Sequence, residues 1–515
     1  MKKRTFFPKN DARACICAKK AVYLQPVCEK IMIAMKKIIL TLLAIFFLAP
    51  MLRAKNIGVP AECEDVMLQA FYWDSYDSNK SSTKYGRTKW IDLLKDTAAI
   101  NANFDLVWLP PSAKAGSDGV GYNHKKLSNQ DSSWGTKAKL NELIAALHAG
   151  NTKVLADIVI NHRANKSNWC DFEEDVFGEG YGSFQLTEAH ICSDDECFTT
   201  STSSCYGSST HGAKDTGSKF DGLRDLDHTS EYVQNWAKTY MRWMLDSMKY
   251  DGFRHDMTLG FHGQYLGMYN EASKPYLSVS ELWESITRQK QHLQETDSNT
   301  MIFDFQQKYE LHKAIVNGSY SKLMKNTNSF RGQGLERYAV TFVDNHDTFE
   351  RDGYGDNQFG GQYCDLNSAA KKAQIVQAYA YILMMPGVPC VFWPNWYKYK
   401  DEINQLIKLR KLAGIHSESA VSDESYVQGA YQGTIQGKKH KVILRLGKNR
   451  DMTAPAGYGC CANGDHYSVY VEGVEALGEI EGQPLKGEKF MRDGRLYIRC
   501  GERIYDAQGR LINEF

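Results

Sequence analysis

Eight short runs of β-branched, aromatic and other apolar residues recur along the chain, and they limit its fold more than any other feature. The runs are Val66–Tyr72, Phe104–Leu109, Lys153–Ile160, Gly252–Asp256, Tyr276–Leu282, Met301–Phe305, Tyr338–Asp344 and Val388–Trp393. Helical periodicity separates several of them, most clearly over Lys139–His148, Glu231–Lys249, Ala369–Met384 and Asp401–Leu412. Nearly continuous apolar strands that alternate with helices are typical of a buried parallel sheet. The pattern predicts an α/β fold with a parallel (β/α)8 barrel, the TIM barrel, and a doubly wound open sheet is the alternative.

Two regions depart from the alternation. Residues 163–228 show no clear helical pattern and are rich in Gly, Ser, Asp and Cys, which is typical of a functional loop or a small subdomain. Beyond residue 414 we predict short strands separated by Gly-containing turns, at Tyr426–Gln432, Lys441–Gly447, Tyr467–Gly473 and Leu496–Cys500. We therefore expect a barrel domain over residues 55–414, with a loop subdomain at 163–228 after the third strand. An antiparallel C-terminal β domain over residues 415–515 would follow it.

The N-terminal segment has the features of a secretory signal. Met35, Lys36 and Lys37 precede an apolar run from Ile38 to Leu48, and the small residue Ala54 follows it. The run is too short to span a bilayer, which needs ~20 apolar residues. We predict a signal peptide over residues 35–54 and regard residues 1–34 as a non-native upstream extension. The mature protein should be secreted or periplasmic, without a membrane anchor.

Composition narrows the classes of partner. A formal charge of +1, with 43% hydrophobic and 24% charged residues, indicates a globular protein and does not suggest nucleic-acid binding. Aromatic residues reach 12%, as in proteins that stack rings on sugars, although a large core explains this value equally well. Of the 13 cysteines, ten follow residue 54, and in an exported protein some should form disulfides. The sequence contains no CxxC or HExxH motif and does not predict zinc. We expect a monomer.

Acidic residues end four of the eight apolar runs. A carboxylate in such a position is costly unless it is paired or functional. Since the C-terminal ends of barrel strands meet at one mouth, residues that are distant in sequence can form a single site there. The candidates are Asp157, Asp256, Glu281 and Asp347, together with Arg254, His162 and His346.

Four motifs now resemble the signature regions of the α-amylase family of glycoside hydrolases, in the same order and with similar spacing. They are DIVINH at 157–162, GFRHD at 252–256, SELW at 280–283 and FVDNHD at 342–347. The segments QAFYWDS at 69–75 and GVPCVFW at 387–393 resemble the first and eighth strands of that family. The ICSDDE segment at 191–196 is most similar to plant-type α-amylases and their bacterial relatives.

The resemblance implies a retaining glycosidase with a covalent glycosyl-enzyme intermediate. Asp256 would be the nucleophile, Glu281 the general acid and then base, and Asp347 a stabiliser of the transition state. Arg254 would keep Asp256 ionised and oriented. The other implied sugar-binding residues are Tyr72, which would stack beneath the sugar, Tyr122, His162, Trp283 and His346.

The resemblance also implies a calcium ion, for which the segment KDTGSKFDGLRDLDH at 214–228 is the main indication. Calcium takes six to eight oxygen ligands from carboxylates, amides and carbonyls. The implied ligands are the side chains of Asn161, Asp215 and Asp225 and the carbonyls of Ser218 and Gly260.

The expected function is therefore endo-hydrolysis of α-1,4-glucosidic bonds in starch-like polysaccharides or malto-oligosaccharides. A related α-glucan transferase or a debranching enzyme is the alternative. A non-catalytic glycan-binding protein is disfavoured by the intact acids, and no repeat or patch suggests a structural scaffold. At Leu259 many family members carry a lysine, so the sequence also predicts weaker binding on the leaving-group side of the cleft.

Overall fold

The computed structural model describes residues 55–77, 85–117, 119–325, 328–349 and 366–474, together with the backbone of three strands between residues 488 and 506. The predicted upstream extension and signal peptide lie outside the described residues, and the predicted domain limits stay predictions. No helix within the described ranges combines the length and the apolar character needed to cross a membrane.

Eight parallel strands close into a barrel in which each strand pairs with the next one along the chain and the eighth pairs with the first. This confirms the predicted barrel and excludes the open sheet. The barrel strands, first to eighth, are Met67–Gln69, Leu106–Trp108, Lys153–Ile158, Gly252–His255, Ser278–Ser280, Met301–Phe303, Ala339–Phe342 and Val388–Phe392.

A helix follows every barrel strand. The helix that precedes the fourth strand, Glu231–Asp246, buries Val233, Trp236, Tyr240 and Met244, whose spacing of three to four residues forms one apolar face. It ends before the predicted residue Lys249, which has a left-handed backbone with φ of 67°. The others are Trp90–Asn103, Lys137–Ala149, Gly263–Ser273, Ile286–Glu295, Phe305–Val316, Ala369–Met384, Trp393–Lys398 and Lys400–Ala413.

The connection after the third strand forms the predicted loop region, which has short strands and single 3-10 turns but no α-helix within residues 163–228. It leaves and rejoins the barrel through an antiparallel pair, His162–Arg163 with Arg224–Asp225. A disulfide joins Cys170 to Cys205. Arg163 Nη1 lies 3.0 Å from Asp175 Oδ2, and both side chains are fully buried. These two contacts join parts of the region to one another, and the N–H of Ser218, which donates to the carbonyl of Leu259 at 3.0 Å, ties it to the segment after the fourth strand. Its other strands are Asp175–Gly178 and Gly182–Phe184, and its 3-10 turns are Glu188–His190 and Glu196–Phe198.

The C-terminal part consists of antiparallel sheets, as predicted, but one predicted strand is wrong. The segment Tyr426–Gln432 contains a hairpin turn, because Gln428 and Gly429 both adopt positive φ, 51° and 84°. Such a two-residue turn matches the twist of paired strands. The strand Tyr458–Gly464, rich in Gly, was not predicted. The five-stranded sheet contains Val421–Val427, Ala430–Gln436, Lys441–Leu446, Tyr458–Gly464 and Tyr467–Glu472, and a second sheet contains Glu488–Arg492, Arg495–Cys500 and Arg503–Asp506.

Candidate active site

The residues that follow the barrel strands surround a cavity of about 570 Å³. Most of the predicted sugar-binding and catalytic candidates line it: Tyr122, His162, Asp256, Glu281, Trp283, His346 and Asp347. The remaining lining includes Trp73, Asp74, Tyr76, Asn123, Met257, Phe220 and Leu223. Barrel closure thus brings together side chains from segments that are far apart in sequence.

One buried guanidinium joins the acids. Arg254 Nη1 donates to Asp157 Oδ1 at 2.9 Å and to Asp256 Oδ1 at 2.7 Å, while its Nη2 lies 2.9 Å from Glu281 Oε2. The backbone N–H of Met257 also donates to Glu281 Oε2, at 2.9 Å. Arg254 and Asp157 have almost no exposed surface, whereas the side chains of Asp256 and Glu281 keep 11% and 16% of theirs. The carboxylates of Asp256 and Glu281 are therefore held in place by the buried charge of Arg254, and both remain accessible to a ligand in the cavity.

Burial and mutual repulsion disfavour full ionisation of this pair. Burial raises the pKa of Glu281 to about 7; Arg254 opposes this rise, and Asp256 and Asp347 add to it. Burial likewise raises the pKa of Asp256 to about 6, again against the effect of Arg254. Near neutrality, one carboxyl can therefore hold a proton while its neighbour is ionised, which is the arrangement that acid–base chemistry requires.

Flat rings form one wall of the cavity. Trp73, Tyr122 and His346 lie nearly parallel, with ring centroids 5.3 to 6.1 Å apart. Gln69 contacts His346 Nδ1 at 3.0 Å, and the hydroxyl of Tyr122 contacts His346 Nε2 at 2.8 Å, so the imidazole is held on both edges. The wall is therefore rigid and presents aromatic surface beside the acids.

The loop subdomain also contributes to the lining. Phe220 stacks on His162, with ring centroids 4.2 Å apart and planes 16° apart. Nε2 of His162 lies 2.9 Å from the carbonyl of Tyr122, and burial lowers the pKa of His162 to about 4. This imidazole is thus neutral at ordinary pH and can exchange hydrogen bonds with an uncharged ligand.

Two residues singled out in the sequence do not line the cavity. Tyr72 does not line the cavity: its side chain is buried, and its hydroxyl donates to the carbonyl of Gly86 at 2.9 Å. The neighbouring Trp73 occupies the wall instead. Leu259 packs against an apolar cluster that includes Leu282, and it is not among the lining residues. The weaker binding predicted for the leaving-group side stays a prediction.

The five predicted calcium ligands lie close together beside the cavity. Asn161 Oδ1, Asp215 Oδ2 and both carboxylate oxygens of Asp225 are buried and have no hydrogen-bond partner among the described residues. A Cβ at Gly260 would lie only 2.0 Å from Asn161 Oδ1, so only glycine fits there. The backbone of Ser218 is adjacent, because its N–H donates to the carbonyl of Leu259 at 3.0 Å. Orphaned buried oxygens of this kind fit a hard divalent cation.

Sequence reasoning missed several cavity residues. Trp73 lies beyond the end of the first strand, where strand alternation no longer tells which side chain faces the mouth. Phe220 and Leu223 also line the cavity, and they lie in the sequence between the predicted calcium ligands Asp215 and Asp225. This position was the only sequence signal that could have placed them near the cleft. Met257, directly after Asp256, has a left-handed backbone with φ of 43°, a strained conformation that the sequence does not announce.

Comparisons with known proteins place the chain in one family. A family model described as the catalytic domain of α-amylase matches residues 92–395. Chloroplastic α-amylase 3 of Arabidopsis thaliana is 29% identical over 79% of this chain, which spans only 43% of that protein. Probable α-amylase 2 of the same plant is 28% identical, with 79% of this chain and 94% of that protein covered. A glucan 1,4-α-maltotetraohydrolase of Stutzerimonas stutzeri is 27% identical, with 76% and 69% covered.

Solved structures agree on the fold. An α-amylase from Anoxybacillus superposes with a TM-score of 0.57 at 13% identity, covering 81% of this chain and 99% of that one. The cyclomaltodextrin glucanotransferase CldA superposes with a TM-score of 0.59 at 15% identity, covering 79% and 99%. At these identities the likeness shows a shared architecture alone.

Proposed function

Because this chain belongs to the α-amylase family of glycoside hydrolases, we propose that it hydrolyses internal α-1,4-glucosidic bonds of starch, glycogen or malto-oligosaccharides with retention of configuration. The observation that carries the proposal is the guanidinium of Arg254, which holds Asp256 and Glu281 together at the edge of one cavity. Contact of both carboxylates with one guanidinium is compatible with the ~5–5.5 Å separation of retaining enzymes.

In the proposed mechanism Asp256 attacks the anomeric carbon while Glu281 protonates the leaving oxygen. The hydrogen bond from Arg254 orients Asp256 and favours its ionised form. Glu281, whose pKa burial raises to about 7, carries the proton that it donates. After the leaving sugar departs, the ionised Glu281 removes a proton from water, which then releases the sugar from Asp256.

The remaining polar residues bind sugar hydroxyls. Asp347, with 13% of its side chain exposed, lies beside His346 and would accept hydrogen bonds from the sugar ring in its flattened transition state. Neutral His162, with Tyr122 and Trp73, would complete this subsite. Trp283, whose Nε1 donates to the hydroxyl of Tyr309, forms part of the cavity wall on the Glu281 side.

Calcium is part of the proposal. Asn161, Asp215 and Asp225 would hold it through their orphaned oxygens, with the carbonyls of Ser218 and Gly260 as further ligands. The ion would neutralise buried carboxylates and link the loop subdomain to the barrel. Since Phe220 lies between two of these ligands in sequence and lines the cavity, its position should depend on this link.

Product analysis tests the function. We expect soluble starch to lose viscosity faster than it gains reducing ends, and NMR should show the α-anomer as the first product. Initial β-anomer would exclude retention. Cyclodextrins or elongated chains as the main products would instead indicate the transferase alternative, in which a sugar hydroxyl replaces water as the acceptor.

Activity should follow a bell-shaped dependence on pH. The reaction needs Asp256 ionised and Glu281 protonated, and the pKa values of about 6 and about 7 place the maximum of kcat/KM between them. The two limbs belong to the coupled pair rather than to either residue alone. Initial rates from pH 4 to 9 on a malto-oligosaccharide will measure this, and a rate that stays constant above pH 8 would contradict the assignment of Glu281.

Trp73, and not Tyr72, should contribute to substrate binding. Trp73→Ala removes an aromatic platform worth ~0.5–1.5 kcal/mol, so KM should rise roughly 2- to 12-fold. Tyr72→Phe removes the hydroxyl that donates to the carbonyl of Gly86, which should cost ~1 kcal/mol of stability and leave KM unchanged. Steady-state kinetics of both variants will decide, and the reverse result would restore the sequence-based assignment of Tyr72.

We propose that the enzyme is exported and acts as a monomer. Besides the predicted signal peptide, the disulfide between Cys170 and Cys205 supports export, since such bonds persist mainly in oxidising compartments. Export would also bring the enzyme to polymers that are too large to enter a cell.

A further inference from the structure

A cysteine lies among the oxygens of the proposed calcium site. Sγ of Cys192 and carboxylate oxygens of Asp215 and Asp225 all lie within 4.8 Å of one another. The backbone fixes this approach, because the N–H of Cys192 donates to the carbonyl of Asp225 at 2.9 Å. Cys192 and Asp225 are each only 1% exposed, so the thiol and the carboxylate share one enclosed space.

The acidic groups in this space have no basic side chain as a partner among the described residues. Both oxygens of Asp225 and Oδ2 of Asp215 have no hydrogen-bond partner there. Arg224, although it adjoins Asp225 in sequence, directs its guanidinium to Asp195 and Glu196, at 2.8 Å each. A cation would satisfy these unpartnered oxygens.

The sulfur changes which cation fits. Calcium prefers oxygen ligands alone, whereas zinc and related ions bind thiolate sulfur at ~2.3 Å and carboxylate oxygen at ~2.0–2.2 Å. In a tetrahedral site with these bond lengths, sulfur and oxygen ligands lie ~3.6 Å apart, so side chains whose ligand atoms lie within 4.8 Å of one another would have to move closer on binding. Cys192 is also a free cysteine and is not engaged in a disulfide.

We propose that Cys192 makes this a mixed oxygen–sulfur site, at which a thiophilic divalent cation such as Cd²⁺ or Zn²⁺ replaces Ca²⁺ with Cys192 as a direct ligand. The inference rests on the cation site of the proposed function and extends it to a second class of metal. On binding, the thiol proton passes to solvent and the thiolate coordinates the ion. Zn²⁺, which is smaller than Ca²⁺, would draw the segments around Cys192 and Asp215 together and displace the adjoining cavity wall at Phe220.

Spectroscopy on the full-length protein can test the sulfur ligand directly. The chelator-treated protein, kept under non-reducing conditions, is titrated with Cd²⁺ alone, and the thiolate-to-cadmium charge-transfer absorption is recorded. Cys192→Ser keeps the size and an oxygen donor. The matched control is Cys197→Ser, a buried free cysteine of the same subdomain that lies outside this cluster.

We expect the absorption to saturate at one Cd²⁺ per chain in the parent and in Cys197→Ser, and to vanish in Cys192→Ser. The affinity of Cys192→Ser for Cd²⁺ should fall by at least the ~10–100-fold that loss of an outer-shell partner costs, while its affinity for Ca²⁺ stays within a factor of about three. Excess Ca²⁺ should reduce the absorption in the parent by competition.

An equal absorption in Cys192→Ser, or one that persists in Asp225→Ala, would overturn the proposal. If Cys192→Ser does not fold, the ¹¹³Cd NMR chemical shift of the parent protein provides the test. A sulfur ligand moves this shift far downfield of the value for a site with oxygen ligands alone. A shift typical of oxygen ligands alone would refute the proposal. Absorption that depends on Cys192 without any stabilisation by Ca²⁺ would uphold this inference and refute the calcium part of the proposed function. Stabilisation by Ca²⁺ without such absorption would refute this inference and uphold the calcium part of the proposed function.

Discussion

Replacing Asp256 by asparagine is expected to lower kcat on malto-oligosaccharides by roughly 10⁴-fold or more, because the amide cannot form the covalent intermediate. The substitution keeps the shape of the side chain and one acceptor for Arg254, which lies 2.7 Å from Asp256 Oδ1. Folding and substrate binding should therefore change little. Reducing-end assays give kcat, and binding of an oligosaccharide to the inactive variant provides the control for folding.

Glu281→Gln should lower kcat by ~10²–10⁴-fold, since it removes the proton donor. The loss should shrink for an aryl maltoside with a good leaving group, which departs without a proton, and this dependence separates an acid from a nucleophile. Azide adds a second criterion. With an activated substrate, Asp256→Ala should yield the β-glycosyl azide and Glu281→Ala the α-glycosyl azide. Near-normal rates in either variant, or the opposite azide anomers, would contradict the assigned roles.

Loss of the cation should destabilise the protein by several kcal/mol. A ligand that binds only the folded state adds RT ln(1 + [L]/Kd), or ~4 kcal/mol at a thousandfold excess over Kd. Chelation should therefore lower the Tm of the parent and expose residues 163–228 to proteases. Asp225→Ala removes two of the orphaned oxygens, so it should melt like the chelated parent and respond to neither Ca²⁺ nor EDTA.

Asp227→Asn is the matched control for this prediction. Asp227 is also buried and lies in the same segment, but its oxygens accept hydrogen bonds from the backbone N–H groups of Thr229 and Ala213, both at 2.8 Å. The variant should lose some stability and still respond to Ca²⁺ as the parent does. A parent whose Tm is unchanged in EDTA, with calcium shown absent by elemental analysis, would count against the site.

The amino-acid sequence alone determined the architecture and the acids of the cleft. Barrel strands carry a local signal, since each is a short apolar run and acidic residues end four of the eight. Closure of the barrel follows from eight such runs alternating with helices. Asp256 and Glu281 follow strand ends directly, and Asp347 lies in the loop after the seventh strand, so their convergence on one mouth could be predicted without coordinates. The hairpin at Gln428 and Gly429 was missed because residues on both sides of a two-residue turn continue the strand-like composition.

Tertiary packing decided what lies beyond the strand ends. Whether Tyr72 or Trp73 faces the cavity depends on how the chain bends after Gln69, and the burial of Tyr72 against Gly86 settles it. Phe220 reaches His162 only because the loop subdomain folds back over the barrel. Cys192 meets Asp215 and Asp225 through a backbone pairing across more than thirty residues, a contact that carries no local signal. Strands can be predicted because their residue pattern repeats over a few neighbouring positions. The positions of loops depend on contacts between segments that are distant in sequence, and no short stretch of sequence encodes such contacts.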